Sequence, residues 1–175
     1  MVRIRFLFVV CFSFLLVSCF SIKPQVTKTA GNSWEEFYVS SGVMQYFIKP
    51  LSFNNQKQKI DIDFTFRNVS DSVIINYSIF SDKGYTKPEI VFISNELTSI
   101  KISNQKTIFS EIIKEQFKIR QTGKISLAEF KTLTQNNIWK ISVQNQHEMN
   151  HFYGSNKTKK KINAINKILL IPVNS

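Results

Sequence analysis

The chain has 175 residues and carries 23 Lys and Arg against 12 Asp and Glu, a formal net charge of +11. Hydrophobic residues make up 43% of it, enough for a packed core, which excludes a wholly disordered or collagen-like chain. The two Cys exclude a disulfide-rich scaffold and a four-Cys zinc site.

The N-terminal residues have the features of an export signal. Arg3 and Arg5 precede an apolar run of 12 residues that extends from position 6 to position 17. This run has the length of a signal-peptide core, whereas a membrane-spanning helix needs about 20 apolar residues. The run ends in Leu16-Val17-Ser18-Cys19, which resembles the lipobox of bacterial lipoproteins.

The resemblance implies a covalent lipid on Cys19 after removal of residues 1–18 as a lipoprotein signal peptide. In that family cleavage occurs directly before the Cys and the new amine is acylated, and two or three acyl chains hold a protein stably on a membrane. No other cofactor is expected. No Asp or acidic run follows Cys19, and in type the chain is similar to small uncharacterised lipoproteins of Bacteroides-like bacteria. This predicts the cell envelope, at the outer membrane and facing the periplasm.

Residues 19–32 are predicted to be the lipidated Cys and a flexible tether, which reaches roughly 20 Å in r.m.s. terms. Only 4 of the 23 basic residues are Arg, the residue favoured for base and phosphate contacts, so we do not predict nucleic acid as a partner. The densest basic run, Lys157 to Lys161, is interpreted first as a solvated helix face. The alternative is attraction to anionic lipid headgroups or to an acidic polymer.

Residues 33–175 are predicted to form a single β-rich domain. Apolar and polar residues alternate from Lys59 to Arg67, which is typical of a half-buried strand. Turn residues at 68–72 lead into Val73–Phe80, rich in β-branched and aromatic residues, so the pair is predicted to be an antiparallel hairpin. Further strands are predicted at Glu36–Ser40, Gly42–Ile48, Glu89–Ser94, Ser99–Ser103, Thr107–Ile113, Glu115–Arg120 and Ile138–Val143.

Two helices complete the predicted fold. Ser126 and Glu129 match a capping box, which predicts a short helix near 126–133. Asn156 is the predicted cap of a C-terminal helix with Ile162, Ile165 and Leu169 on one face, and Pro172 would stop it. The pattern as a whole predicts a mainly β fold, an antiparallel β-sandwich or an open barrel.

The segment His147-Glu148-Met149-Asn150-His151 matches the zincin pattern H-E-x-x-H. On a helix the two His would share a face and bind zinc, with Glu148 as the base on the bound water. The flanking sequence favours a turn followed by a strand, with Met149, His151 and Tyr153 on one side, and no third ligand follows at the family spacing. We therefore predict no metal site, and zinc peptidase is the alternative.

A second short pattern, Asp61-Ile-Asp63-Phe-Thr65, fits the D-x-D-x-T motif of haloacid-dehalogenase-type phosphatases. Strand alternation places Asp61 and Asp63 on the solvent-facing side, and no Asp occurs after Asp82. The sequence thus predicts a non-catalytic, lipid-anchored envelope protein that binds an unidentified partner. An envelope protein or an acidic polymer fits this role, and so does a structural or assembly part of the envelope.

Overall fold

A computed structural model of the protein describes residues 33–82, 88–145 and 148–169. The strands within these ranges are β1 Trp34–Ser40, β2 Val43–Asn54, β3 Lys59–Arg67, β4 Ser72–Ser81, β5 Ile90–Ser94, β6 Ser99–Lys101, β7 Ser103–Ile113, β8 Gln116–Ser126, β9 Lys140–Gln144 and β10 Met149–Gly154. The helices are α1 Leu127–Thr134 and α2 Asn156–Leu169. The mainly β class, the short helix and the C-terminal helix are confirmed.

The described strands form one antiparallel sheet in the order β6-β5-β9-β10-β2-β3-β4-β8-β7, and β1 pairs with β2 beside that path. The predicted hairpin is confirmed as β3 and β4, which pair from Lys59↔Phe80 to Thr65↔Ile74. β2 was predicted to end at Ile48 but continues to Asn54. Pro50 does not end the strand, because it lies where the pairing of β2 with β3 shifts register. A proline lacks the N–H of a regular strand and is tolerated at such a bulge.

The strands form one sheet that nearly closes into a barrel, so the open barrel, and not the β-sandwich, is the observed one of the two predicted architectures. β6 and β7 are opposite edges of the sheet, yet only Ile102 separates them along the chain. The Ile102 N–H donates to the Val91 carbonyl on β5 over 2.9 Å, and Ser103 pairs with Lys124 on β8. The chain therefore passes directly from one edge to the other, and we call this junction the barrel seam.

Gly123 on β8 permits the close approach of the strands at the barrel seam. A Cβ atom built there would overlap Ile102 Cγ2 and lie 2.9 Å from the Ser103 carbonyl oxygen. Atoms of real Cβ groups do not come so close, so any other residue would push the two edges apart.

Alternating side chains from the strands point inward and fill the barrel. The predicted inward set of β3 is buried, and α1 adds Phe130 from one end. The Phe130 ring centre lies 4.8 Å from that of Phe64, and Trp139 meets Phe64 edge-on at 5.9 Å. Such contacts add to the free energy of burial. The capping box of α1 is confirmed, since the Ser126 hydroxyl accepts from the Glu129 N–H.

Helix α2 covers a gap on one edge of β2. β1 pairs with this edge up to Ile48, and β10 pairs with it only at Phe53 and Asn54. Between them, the Thr158 hydroxyl donates to the Ser52 carbonyl over 2.7 Å, and Lys161 Nζ donates to the Pro50 carbonyl over 3.0 Å. Side chains of the helix thus satisfy backbone acceptors that lack a strand partner there.

Candidate functional site

The predicted lipid attachment site lies outside the described residues. Cys19, the signal peptide 1–18 and the tether 19–32 all precede Ser33, where the described chain begins. Within the described ranges, neither helix is long and apolar enough to cross a bilayer.

The H-E-x-x-H segment lies at a turn and on a strand. His147 is outside the described residues, and Glu148 is in the turn that joins β9 to β10, where its carbonyl accepts from the Asn145 N–H over 3.0 Å. His151 lies on β10, with Met149 and Tyr153 on the same exposed side and Phe152 on the buried side. Residues 149–151 therefore lack the helical conformation that the zincin pattern requires.

His151 contacts a serine of the neighbouring strand on the outer face of the barrel. Its Nδ1 lies 2.9 Å from the hydroxyl of Ser142, which is directly opposite on β9. A Ser–His contact is the first half of a nucleophile–base pair, and a third group normally orients the base. Among the described residues no carboxylate hydrogen-bonds the imidazole, and no three His, Cys, Asp or Glu side chains come together as a metal site. The contact is a cross-strand pair that fixes the imidazole on the sheet.

The prediction that Asp63 faces solvent is wrong, because only 2% of this residue is exposed. Its Oδ2 accepts from Arg120 Nη2 over 2.7 Å, and its Oδ1 accepts from Asn76 Nδ2 over 2.9 Å. Arg120 Nη1 also donates to the Ser78 hydroxyl over 3.0 Å. Asp63 is on the outer face of β3, as alternation requires. The Arg120 side chain, which starts on β8, extends across β4 and its guanidinium covers the Asp63 carboxylate.

The other aspartate of the D-x-D-x-T pattern is also engaged. Asp61 Oδ1 accepts from the Ser52 hydroxyl over 2.6 Å, and Lys59 Nζ lies 2.8 Å from its Oδ2. Both carboxylates therefore link neighbouring strands of the sheet. This arrangement differs from a nucleophile and an acid that face a shared substrate site.

Sequence reasoning missed a partly buried polar network beside the barrel seam. The Tyr77 hydroxyl lies 2.5 Å from Oε1 of Gln105 and 2.5 Å from Oε1 of Gln121. Gln121 is fully buried, and its Nε2 donates to the Thr107 hydroxyl over 3.1 Å. A glutamine is usually a surface residue, so only the tertiary structure identifies Gln121 as internal.

Among the described large apolar residues Ile112 has the highest exposed fraction, and it lies at the end of the β7–β8 hairpin, over residues Ile108–Lys118, which we call the hairpin tip. Ile112 is 76% exposed and Ile108 is 51% exposed, and Phe109 and Ile113 are exposed beside them. β7 pairs with β8 alone among the described strands, so these side chains lack a neighbouring strand to cover them.

The hairpin tip has a tight turn and basic side chains. Ile113 pairs with Gln116, and the two residues between them, Lys114 and Glu115, have φ angles of 49° and 68°. These angles match the turn with the twist that two-residue hairpins favour. Lys118 Nζ lies 5.0 Å from the Phe109 ring centre and 3.0 Å from Glu111 Oε1.

The second distinctive surface is the lysine-rich start of α2. Lys157 and Lys160 are exposed, whereas Ile162 and Ile165 are buried against the barrel. Burial lowers the pKa of Lys161, and the positive charge of Lys157 lowers it further. The helix is thus amphipathic, as predicted, with its basic residues largely on the wet side.

Comparison with known proteins finds no matching family model, no matching curated protein and no matching solved structure. The resemblance to bacterial lipoproteins therefore rests on residues 1–19 alone, and the functional argument rests on the chain's own residues.

Proposed function

We propose that the protein is a lipid-anchored component of the bacterial cell envelope whose folded part is a non-catalytic binding or structural module. The observation that carries this proposal is the sequence Leu16-Val17-Ser18-Cys19 at the end of a 12-residue apolar run behind Arg3 and Arg5. Thioether-linked lipid on Cys19 would hold the domain at the membrane, and the tether would let it move relative to that surface.

The described side chains support a non-catalytic role. The inward-facing positions of the barrel hold large apolar side chains such as Phe53, Phe64 and Phe152, so a partner would contact the outer surface. Asp63 is bonded to Arg120 within the sheet. The contact of His151 with Ser142 joins two strands.

The proposed location is the outer membrane with the domain facing the periplasm, and the proposed partner is an envelope protein or an acidic polymer. The charge supports an acidic or anionic partner, since residues 19–175, without Arg3 and Arg5, carry 21 basic against 12 acidic residues, a net charge of +9. Lys157 and Lys160 on α2 add exposed positive charge to the outer surface.

Metabolic labelling with radioactive palmitate tests the anchor. We expect the wild-type protein to incorporate label and the Cys19→Ser variant to incorporate none, because the thiol is the site of attachment. Cys11→Ser is the matched control, since it removes the only other thiol of the chain and should leave labelling intact. Labelled Cys19→Ser protein, or an unlabelled wild type, would rule out the lipoprotein proposal.

A further inference from the structure

The direction of β1 determines which end of the barrel is nearer to the predicted anchor. β2 runs toward Asn54, which pairs with Lys59, and Lys59 pairs in turn with Phe80. Phe80 pairs with Lys118, so β2 ends at the side of the sheet from which the hairpin tip projects. β1 is antiparallel to β2, so its first residues lie nearer to the hairpin-tip side of the sheet than its last ones do.

The distance along the strands is within reach of the tether. The Ser33 carbonyl accepts from the Lys49 N–H over 2.9 Å, which fixes the level at which the described chain starts. The distance along the strands from the level of Ser33 to the turn of the hairpin tip has two parts, five residues from Lys49 to Asn54 and three from Lys118 to Glu115. Together they amount to about 26 Å at ~3.3 Å per residue. The 13 residues from 20 to 32 can span up to about 43 Å when extended. A lipid on Cys19 and the hairpin tip can therefore reach one membrane plane.

The composition of the hairpin tip suits a membrane interface. Exposed apolar clusters mark sites of protein or membrane contact, and four exposed apolar residues are concentrated here: Ile108, Phe109, Ile112 and Ile113. Within the tip, Lys114 and Lys118 are balanced by Glu111 and Glu115, and the basic residues farther along the hairpin give residues 103–126 a net charge of +3. Basic residues beside an apolar patch are attracted to anionic phospholipid, and their aliphatic stems extend along apolar surface.

We propose that the hairpin tip inserts its exposed isoleucines into the anionic phospholipid surface that holds the lipid anchor. This inference rests on the proposed function, because it assumes that Cys19 tethers the domain to that surface. The tip then acts as a second, non-covalent contact that sets the orientation of the barrel. The β3–β4 turn at the opposite end, which holds Val69, would face away from the membrane.

A fluorescent label at position 112 tests the proposal. Ile112→Cys in a Cys11→Ser background gives the lipidated protein one free thiol, because the lipid occupies Cys19. The purified protein, labelled with an environment-sensitive dye, is reconstituted in vesicles of phosphatidylethanolamine and phosphatidylglycerol. We expect a blue-shifted emission and about twofold quenching by lipids brominated in the acyl chain, since interfacial segments bury apolar groups about 5–10 Å into the headgroup boundary.

Val69→Cys is the matched control. Val69 is 68% exposed and lies in the β3–β4 turn, at the end of β3 opposite to Lys59, so its label should stay in water and escape quenching. Equal quenching at both positions, or none at position 112, would overturn the proposal. A blue shift at position 112 without quenching by brominated lipid would also overturn it and would indicate that a second copy covers the tip.

Flotation of the vesicles separates this proposal from the proposed function. Protein that floats with vesicles but shows no quenching at position 112 has a working anchor and a free hairpin tip. Protein that does not float at all contradicts the lipid anchor itself. Because Ile112 is 76% exposed, its replacement by Cys removes little buried contact and should leave the fold intact.

Discussion

Gly123→Ala is expected to destabilise the protein, although alanine usually suits a strand better than glycine. In an unstrained strand the change would stabilise the protein by about 0.5–1 kcal/mol, because it restricts the unfolded chain. At the barrel seam the new methyl group meets Ile102 Cγ2 and the backbone oxygen of Ser103. A backbone atom cannot rotate away as a side-chain end can, so one edge of the sheet must shift.

The expected magnitude follows from these opposing effects. Overpacking a close-packed site costs about 1–3 kcal/mol and occasionally more, and Gly123 has two contacts closer than 3.0 Å. Since one of these contacts is with a backbone atom, the upper end of that range, about 3 kcal/mol, applies. After subtraction of the gain of about 0.5–1 kcal/mol, we expect the free energy of unfolding to fall by about 2 kcal/mol. Because Ile102→Ala removes the Cγ2 atom, the double variant should lose less stability than the two single variants added together.

Urea unfolding of residues 20–175 measures the effect. Trp139 is buried against Phe130, so its fluorescence should change when the barrel opens. Gly42→Ala is the control, because Gly42 has a φ of +73° with no atom near its Cβ position, and only backbone strain of roughly 1–2 kcal/mol is expected. A Gly123→Ala protein at least as stable as wild type, with additive behaviour in the double variant, would refute the closure of the sheet at Ile102.

Two further predictions concern the polar side chains. Asp63→Ala should lower the free energy of unfolding by about 2–3 kcal/mol, since it leaves the partly buried Arg120 without its carboxylate. Asp63→Asn should cost less because it keeps an acceptor, and equal stability of Asp63→Ala and wild type in urea would contradict the buried pair. Calorimetry on residues 20–175 should detect no zinc binding in the submicromolar range, because residues 149–151 are in a strand. One-to-one binding that disappears in His151→Ala would instead favour the zinc peptidase.

Local patterns predicted the elements that depend on neighbouring residues. The alternation over Lys59–Arg67 gave the bounds of β3, and Ser126 with Glu129 predicted the capped start of α1. Both features form within a few residues of the chain, so periodicity and capping chemistry are enough to predict them. The same holds for α2, whose buried Ile162 and Ile165 follow a helical spacing.

The patterns failed to predict where polar residues are buried. The last part of β8 was missed because Gln121 and Gly123 interrupt its apolar alternation, although Gln121 is buried against Tyr77. The burial of Asp63 was missed because its partner, Arg120, is 57 residues away in the sequence. Alternation identifies the face of a strand on which a residue lies, but the tertiary fold determines what covers that face.

The sequence by itself determined the mainly β fold with its two helices, and it predicts the lipid anchor at Cys19. These conclusions depend on periodicity, capping and a signal motif, which are all patterns of neighbouring residues. Only the tertiary structure determined that the sheet closes at Ile102 and Gly123, that Asp63 is buried, and that the hairpin tip is left exposed. The physical reason is that each of these features depends on strands that are distant in sequence and meet only when the sheet curves around its core.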